Sequence, residues 1–293
     1  MVDSKAFIIV VLVVVTFVIG GLWTLSGGSA DSPPTAFVAE PVVPLDTNPE
    51  PVEPSPTDAQ GEIDTAQDHL PLMIRWSNWR PEFGPAFVYA READLEGMLE
   101  LDGPLEKMVM VASYDELARL MNYANELQAA GVTTVGFNTE NGMTPGNEMQ
   151  TLNSADPDVN IVARAARLAS EQGFKVVWGP IRATTDEISD GAVLAMIESG
   201  MSGLAIQEQK FIENQPASAR LTAVNRTRER YLALASRAGR DDFSFHVQIM
   251  QQRCPDLNNC VQFVEGLEAI PVDSIAIWSN GPIPVDFVDA IRG

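Results

Sequence analysis

The chain has 293 residues, 45% of them apolar, with a net charge of −21 and a pI near 4.3. That is length enough for one large core with appendages. Acidity of this degree excludes a nucleic-acid phosphate backbone as partner.

Residues 6–25, AFIIVVLVVVTFVIGGLWTL, carry no charge, and none follows before Asp31. About 20 apolar residues rising 1.5 Å each match a roughly 30 Å hydrocarbon layer, which predicts a transmembrane helix. Lys5 precedes the run and nothing basic follows until Arg75. That asymmetry places the N-terminus in the cytoplasm and the main domain outside it, as a single-pass cell-membrane protein. The alternative is a signal peptide cleaved near Gly28-Ser29-Ala30, which makes the protein secreted. The run is longer than an ordinary signal core, which favours a retained anchor.

From Asp31 to about Leu70 the composition shifts. Eight of the twenty prolines fall between Pro33 and Pro56, and nine acidic residues occur from Asp31 to Asp68 without a Lys or Arg. Such a stretch buries too little apolar surface to fold alone and is expected to be a disordered stalk. The expected division is residues 1–30 as anchor or signal segment, 31–70 as linker and 71–293 as the folded domain.

Within that domain strands and helices alternate. Leu72–Trp76 and Ala86–Ala90 are the weaker strand candidates. The clearer ones are Lys107–Ala112, Thr133–Asn138, Lys175–Gly179, Gly203–Glu208, Phe243–Ile249 and Ser274–Ser279. Ser113 followed by Glu116 is a capping box that starts a helix ending at Gly131. Asp156-Pro157 is expected to open the next helix, stopped by Gly173. Residues 216–239 and 259–270 supply two more. Successive βα units imply right-handed crossovers and a parallel sheet, hence an α/β fold of the TIM-like (β/α)8 barrel type or an abbreviated relative. A doubly wound open sheet is the alternative, weakened by the absence of a glycine-rich dinucleotide fingerprint.

Strand parity indicates which side chains face the barrel axis. In TTVGFNTE, Val135 and Phe137 face helices, leaving Thr134, Gly136, Asn138 and Glu140 inward. GLAIQEQ leaves Ala205, Gln207 and Gln209 inward, and FSFHVQIM leaves Ser244, His246 and Gln248. SIAIWSN leaves Ala276, Trp278 and Asn280. In KVVWGPIR and KMVMVAS both parities are apolar and the facing is ambiguous. Polar inward groups thus gather at C-terminal strand ends, where barrels of this type place their sites. Amides with an indole face suit a neutral, polyhydroxylated ligand better than a phosphate or a metal.

Glu140 is the candidate acid/base, with His246 as a partner for it. Glycoside hydrolysis takes two carboxylates about 5–9.5 Å apart. Glu208 ends a strand in the outward register and reaches the site only through a bulge, while Glu148, Asp186 and Glu187 lie on loops or helix starts beyond strands. Asn138, Gln207, Gln209, Gln248, Trp278 and Asn280 are the candidate ligand-binding groups. No cofactor motif and no metal-ligand set is present. Cys254 and Cys260 are the two cysteines. In an oxidising compartment a local disulfide is expected, with two free thiols as the alternative.

With Glu140 at a strand end, Thr144-Pro145 and Glu148 after it, Asp156-Pro157 ahead of an AARLA helix and Gln207-Glu208-Gln209 at a later strand end, the chain resembles uncharacterised secreted barrel-type proteins. More distantly it is similar to glycoside-hydrolase-like barrels. The resemblance implies a carbohydrate-active hydrolase with Glu140 as acid/base and Trp278 as a stacking surface. The alternative is a non-catalytic glycan-binding or cell-envelope interaction module, its partners being carbohydrate or another neutral polar ligand and the membrane.

Overall fold

Eight short apolar runs pair side by side in sequence order, all in parallel, and the last returns to the first. The strands are β1 (Leu72–Arg75), β2 (Ala86–Arg91), β3 (Glu106–Val111), β4 (Val132–Thr139), β5 (Lys175–Pro180), β6 (Gly203–Gln207), β7 (Ser244–Met250) and β8 (Ser274–Trp278). β8 closes on β1 through Leu72↔Ile275, Met73↔Ala276 and Ile74↔Ile277, giving an eight-stranded TIM-like barrel rather than an open, doubly wound sheet. The computed structural model describes residues 70–84, 86–101, 106–140, 142–208, 215–254 and 256–292. The expected anchor (1–30), all but the last residue of the expected linker (31–70), and Gln209 lie outside these residues.

Parallel strands are buried on both faces, so alternate residues enter two different cores. Val135, Phe137, Leu204, Ile206, Val247 and Ile277 turn outward and join the large core shared with the helices. Met73, Tyr89, Met108 and Ala276 turn inward and form a separate cluster, with Phe87, Met110 and Trp278 packed against it. The two ambiguous strands are settled by these contacts. Val109 and Val111 of β3, and Val176 and Trp178 of β5, belong to the outer core.

Between the strands lie α1 (Leu95–Leu99), α2 (Tyr114–Met121), α3 (Ala124–Ala129), α4 (Gly146–Met149), α5 (Ile161–Glu171), α6 (Arg182–Glu187), α7 (Asp190–Glu198), α8 (Ala217–Arg237), α9 (Leu257–Glu268) and α10 (Val285–Arg292). The cap forms as expected, Ser113 Oγ accepting from Glu116 N at 3.2 Å, but the return bond is displaced by one residue, Glu116 Oε2 accepting from Ala112 N at 2.8 Å. The single helix expected from Ser113 to Gly131 is instead two, because Tyr123 leaves helical geometry (φ −117°, ψ 25°). Gly131 then ends α3 at φ 85°, a left-handed conformation that glycine adopts without a Cβ penalty.

Asp156-Pro157 does not open α5. Asp156 Oδ1 accepts from Asp158 N at 2.9 Å in a local turn, and the helix begins one turn later. Its cap is buried Asn160, whose Oδ1 accepts from Val162 N and Ala163 N, each at 3.0 Å. Its Nδ2 donates to Leu152 O and Ser154 O. Asn160 wins because it satisfies the helix and the preceding loop at once.

Cys254 and Cys260 are joined in a disulfide, Cα atoms 5.9 Å apart, tying the end of β7 to the first turn of α9. Among the described residues no helix is long and apolar enough to cross a membrane. The transmembrane helix expected at residues 6–25 lies outside the described residues.

Candidate binding site at the barrel mouth

At the C-terminal ends of the strands the barrel opens into a cavity of about 300 Å³. Its lower lining is small or thioether-bearing: Met73, Met108, Met110, Gly136, Val177 and Ala205. Gly136 is there for a steric reason, since a Cβ on it would overlap the Met110 sulfur. One wall is aromatic. Tyr89 and Trp278 lie nearly parallel, with an interplanar angle of 11° and centroids 6.2 Å apart. Burial pushes the Tyr89 phenol well above its ordinary range, so it stays neutral. Polar groups enter from Arg91, Glu116, Asn138 and Gln248. The loop after β4 adds Met143, and it is a tight one: Thr144 Oγ1 accepts from Glu140 N and donates to Asn138 O.

Three of the expected site residues meet beside this cavity. Asn138 Nδ2 and Gln207 Nε2 both donate to Glu140 Oε1, each at 2.7 Å. Gln207 Nε2 also donates to Asn138 Oδ1 at 3.0 Å. Because a carboxylate oxygen only accepts, these contacts fix both amide orientations. Gly179 leaves room for the arrangement, a Cβ on it coming within 3.3 Å of Asn138 Oδ1. Asn138, Gln248 and Trp278 line the cavity, whereas Glu140 and Gln207 do not. Of the amides expected to meet a polyhydroxylated ligand, Asn138 and Gln207 are engaged with each other and with Glu140.

The other expected acids are held elsewhere. Glu208, fully buried, accepts from Arg182 Nη1 at 2.6 Å, and its backbone N–H donates to Gln248 O. No bulge reverses it, and its carboxylate faces the helices, raised above the usual range by burial and opposed by Arg182. Arg182 Nε also pairs with Asp186 at 3.2 Å. Glu148 accepts from Tyr114 N at the start of α2, and Glu187 is exposed. Asn280 is exposed, its backbone N–H donating to Gln252 Oε1, and it does not line the cavity.

His246 does not act with Glu140. It lies low in the barrel, paired in register with Ala205 and Ser274, and its ring bonds two serines. Nδ1 is 2.8 Å from Ser274 Oγ and Nε2 is 3.0 Å from Ser244 Oγ. Serine hydroxyls donate or accept, so both ring nitrogens are satisfied in either neutral tautomer. Burial pushes its pKa down to about 4. It is a neutral, satisfied core histidine.

Sequence reasoning missed Tyr89, Arg91 and the methionines. A signal existed in AFVYAR, where Phe87, Tyr89 and Arg91 recur at period two on the inner face. No such signal existed in KMVMV, whose two parities are equally apolar.

No family model matches the chain, and no curated protein matches it. Solved structures are distantly similar. The citrate lyase beta subunit from Mycobacterium tuberculosis is 14% identical over 76% of this chain and 95% of its own, with a TM-score of 0.43. Orotidine 5'-phosphate decarboxylase from Lactobacillus acidophilus is 10% identical over 76% and 97%, also at 0.43. A mandelate oxidase is 10% identical over 76% and 69%, at 0.38. The likeness is to barrel enzymes. These are a lyase subunit, a decarboxylase and an oxidase, and none of the three is a glycoside hydrolase. The glycoside-hydrolase-like expectation is corrected at the site itself: Glu208, the strand-end candidate for a second acid, is committed to Arg182, and Glu148, Asp186 and Glu187 bond elsewhere or lie exposed.

Proposed function

We propose that the barrel mouth is a binding site for a small organic molecule with a flat, mostly apolar body and one polar end. The observation that carries this is the cavity itself. Its 300 Å³ equals about ten waters and lies at the small end of ligand pockets. Methionine sulfurs and the Tyr89–Trp278 wall give it a polarizable apolar lining. The Gln248 side chain is half-buried there, with no hydrogen bond among the described residues, and offers a donor and an acceptor. Glu140 serves as the acceptor that holds Asn138 and Gln207 in place. The Cys254–Cys260 disulfide supports an oxidising compartment as the place where this occurs.

The test is a thermal-shift and titration screen of the purified full chain with small aromatic and conjugated compounds. Ala276→Leu puts a branched side chain into the cavity and is expected to abolish binding. Gln248→Leu is close in volume and is expected to weaken binding about tenfold, the equivalent of about 1.4 kcal/mol. If every hit binds both variants as it binds the wild type, the site lies elsewhere and the proposal falls.

A further inference from the structure

Resting on that reading of the mouth, we propose that the ligand's polar end is a carboxylate and that Arg91 holds it. Arg91 is the one cation among the residues that line the cavity. It ends β2 on the same face as Phe87 and Tyr89, and its guanidinium carbon stands 5.6 Å from the centre of the Trp278 ring. No carboxylate among the described residues pairs with it. The acids that follow it in the chain are already used, Glu92 by Arg119 and Asp94 by Arg75. Glu116, the acid that lines the same cavity, accepts from Ala112 N. The contact Arg91 Nη2 does make is with Met143 Sδ, at 3.1 Å. A thioether is a weak acceptor, and a carboxylate displaces it with a charge-assisted bond.

The same geometry sets the rest of the ligand. A planar group conjugated to the carboxylate packs against the Tyr89–Trp278 wall while its oxygens meet the guanidinium. Charge matching selects a monoanion. A single arginine balances one negative charge, and a phosphate dianion would leave its second charge facing Glu116 in a chain of net charge −21.

The experiment is isothermal titration of the full chain with benzoate, 2-naphthoate and indole-3-carboxylate, each beside its primary amide, with inorganic phosphate as a competitor. The expected result is that at least one acid binds about tenfold more tightly than its amide. In Arg91→Gln the ratio of acid to amide affinity is expected to fall to about one. Equal binding of acid and amide by the wild type, or a preference that survives Arg91→Gln, overturns the carboxylate assignment while leaving a small-molecule site. Phosphate that competes as strongly as the acids also overturns it. If neither acids nor amides bind, and the wider screen also yields no hit, the site itself falls.

Discussion

At the scale of single residues, burial decides more than residue type. His246 is of the type that catalyses, yet two serine hydroxyls satisfy it and desolvation holds its pKa near 4. An unfolded histidine titrates at about 6.5, so between pH 7 and pH 4 the unfolded chain binds more protons than the folded one. Stability is therefore full above pH 7, falls as pH drops, and levels below pH 4. By linkage about 2 kcal/mol is expected to be lost between pH 7 and pH 5. Urea denaturation at the two pH values measures it, and His246→Gln is expected to remove that part of the dependence. Wild-type and variant slopes that coincide would show that the ring takes up its proton without cost.

The element scale explains why parity located some site residues and not others. In β4, β6, β7 and β8 one face of the strand is plainly apolar and the other is polar or small, so the sequence shows which side chains turn inward. β3 and β5 are apolar on both faces, and only packing assigns Met108 and Met110 to the axis. Beyond the last residue of β6 the register still governs, and it sends Glu208 into the helix layer against Arg182. That pair has side-chain exposures of 9% and 0%, so solvent screens it little. Glu208→Gln is expected to cost about 3 kcal/mol, because it removes the buried one of the counter-charges on a buried guanidinium, whose other partner, Asp186, is exposed. The double variant Arg182→Met, Glu208→Leu is expected to recover most of that loss, as a double-mutant cycle by urea denaturation would read. A loss under about 1 kcal/mol for Glu208→Gln would mean that water reaches the pair.

For the molecule as a whole the acidic balance sets a further expectation. Forty acidic against nineteen basic residues repel one another more in the compact state than in the unfolded one. Screening with salt shortens the reach of that repulsion to less than about 8 Å above 0.15 M. The melting temperature is expected to rise by about 2–4 °C between 20 mM and 500 mM sodium chloride, roughly the effect of 1 kcal/mol. A fall over that range would show that exposed ion pairs such as Arg119–Glu92 and Arg167–Asp158 outweigh the net repulsion. The sequence by itself determined the alternation of strands and helices, the order in which they occur, and the parity of four strands. These are legible because alternation, caps and turn glycines act between neighbours a few residues apart. Only the tertiary structure decided which polar groups satisfy one another and which face an open cavity. Gln207 and Asn138 are 69 residues apart, and Arg91 and Met143 are 52 apart. A hydrogen bond across such a gap exists only once the barrel has closed and brought both ends to one side.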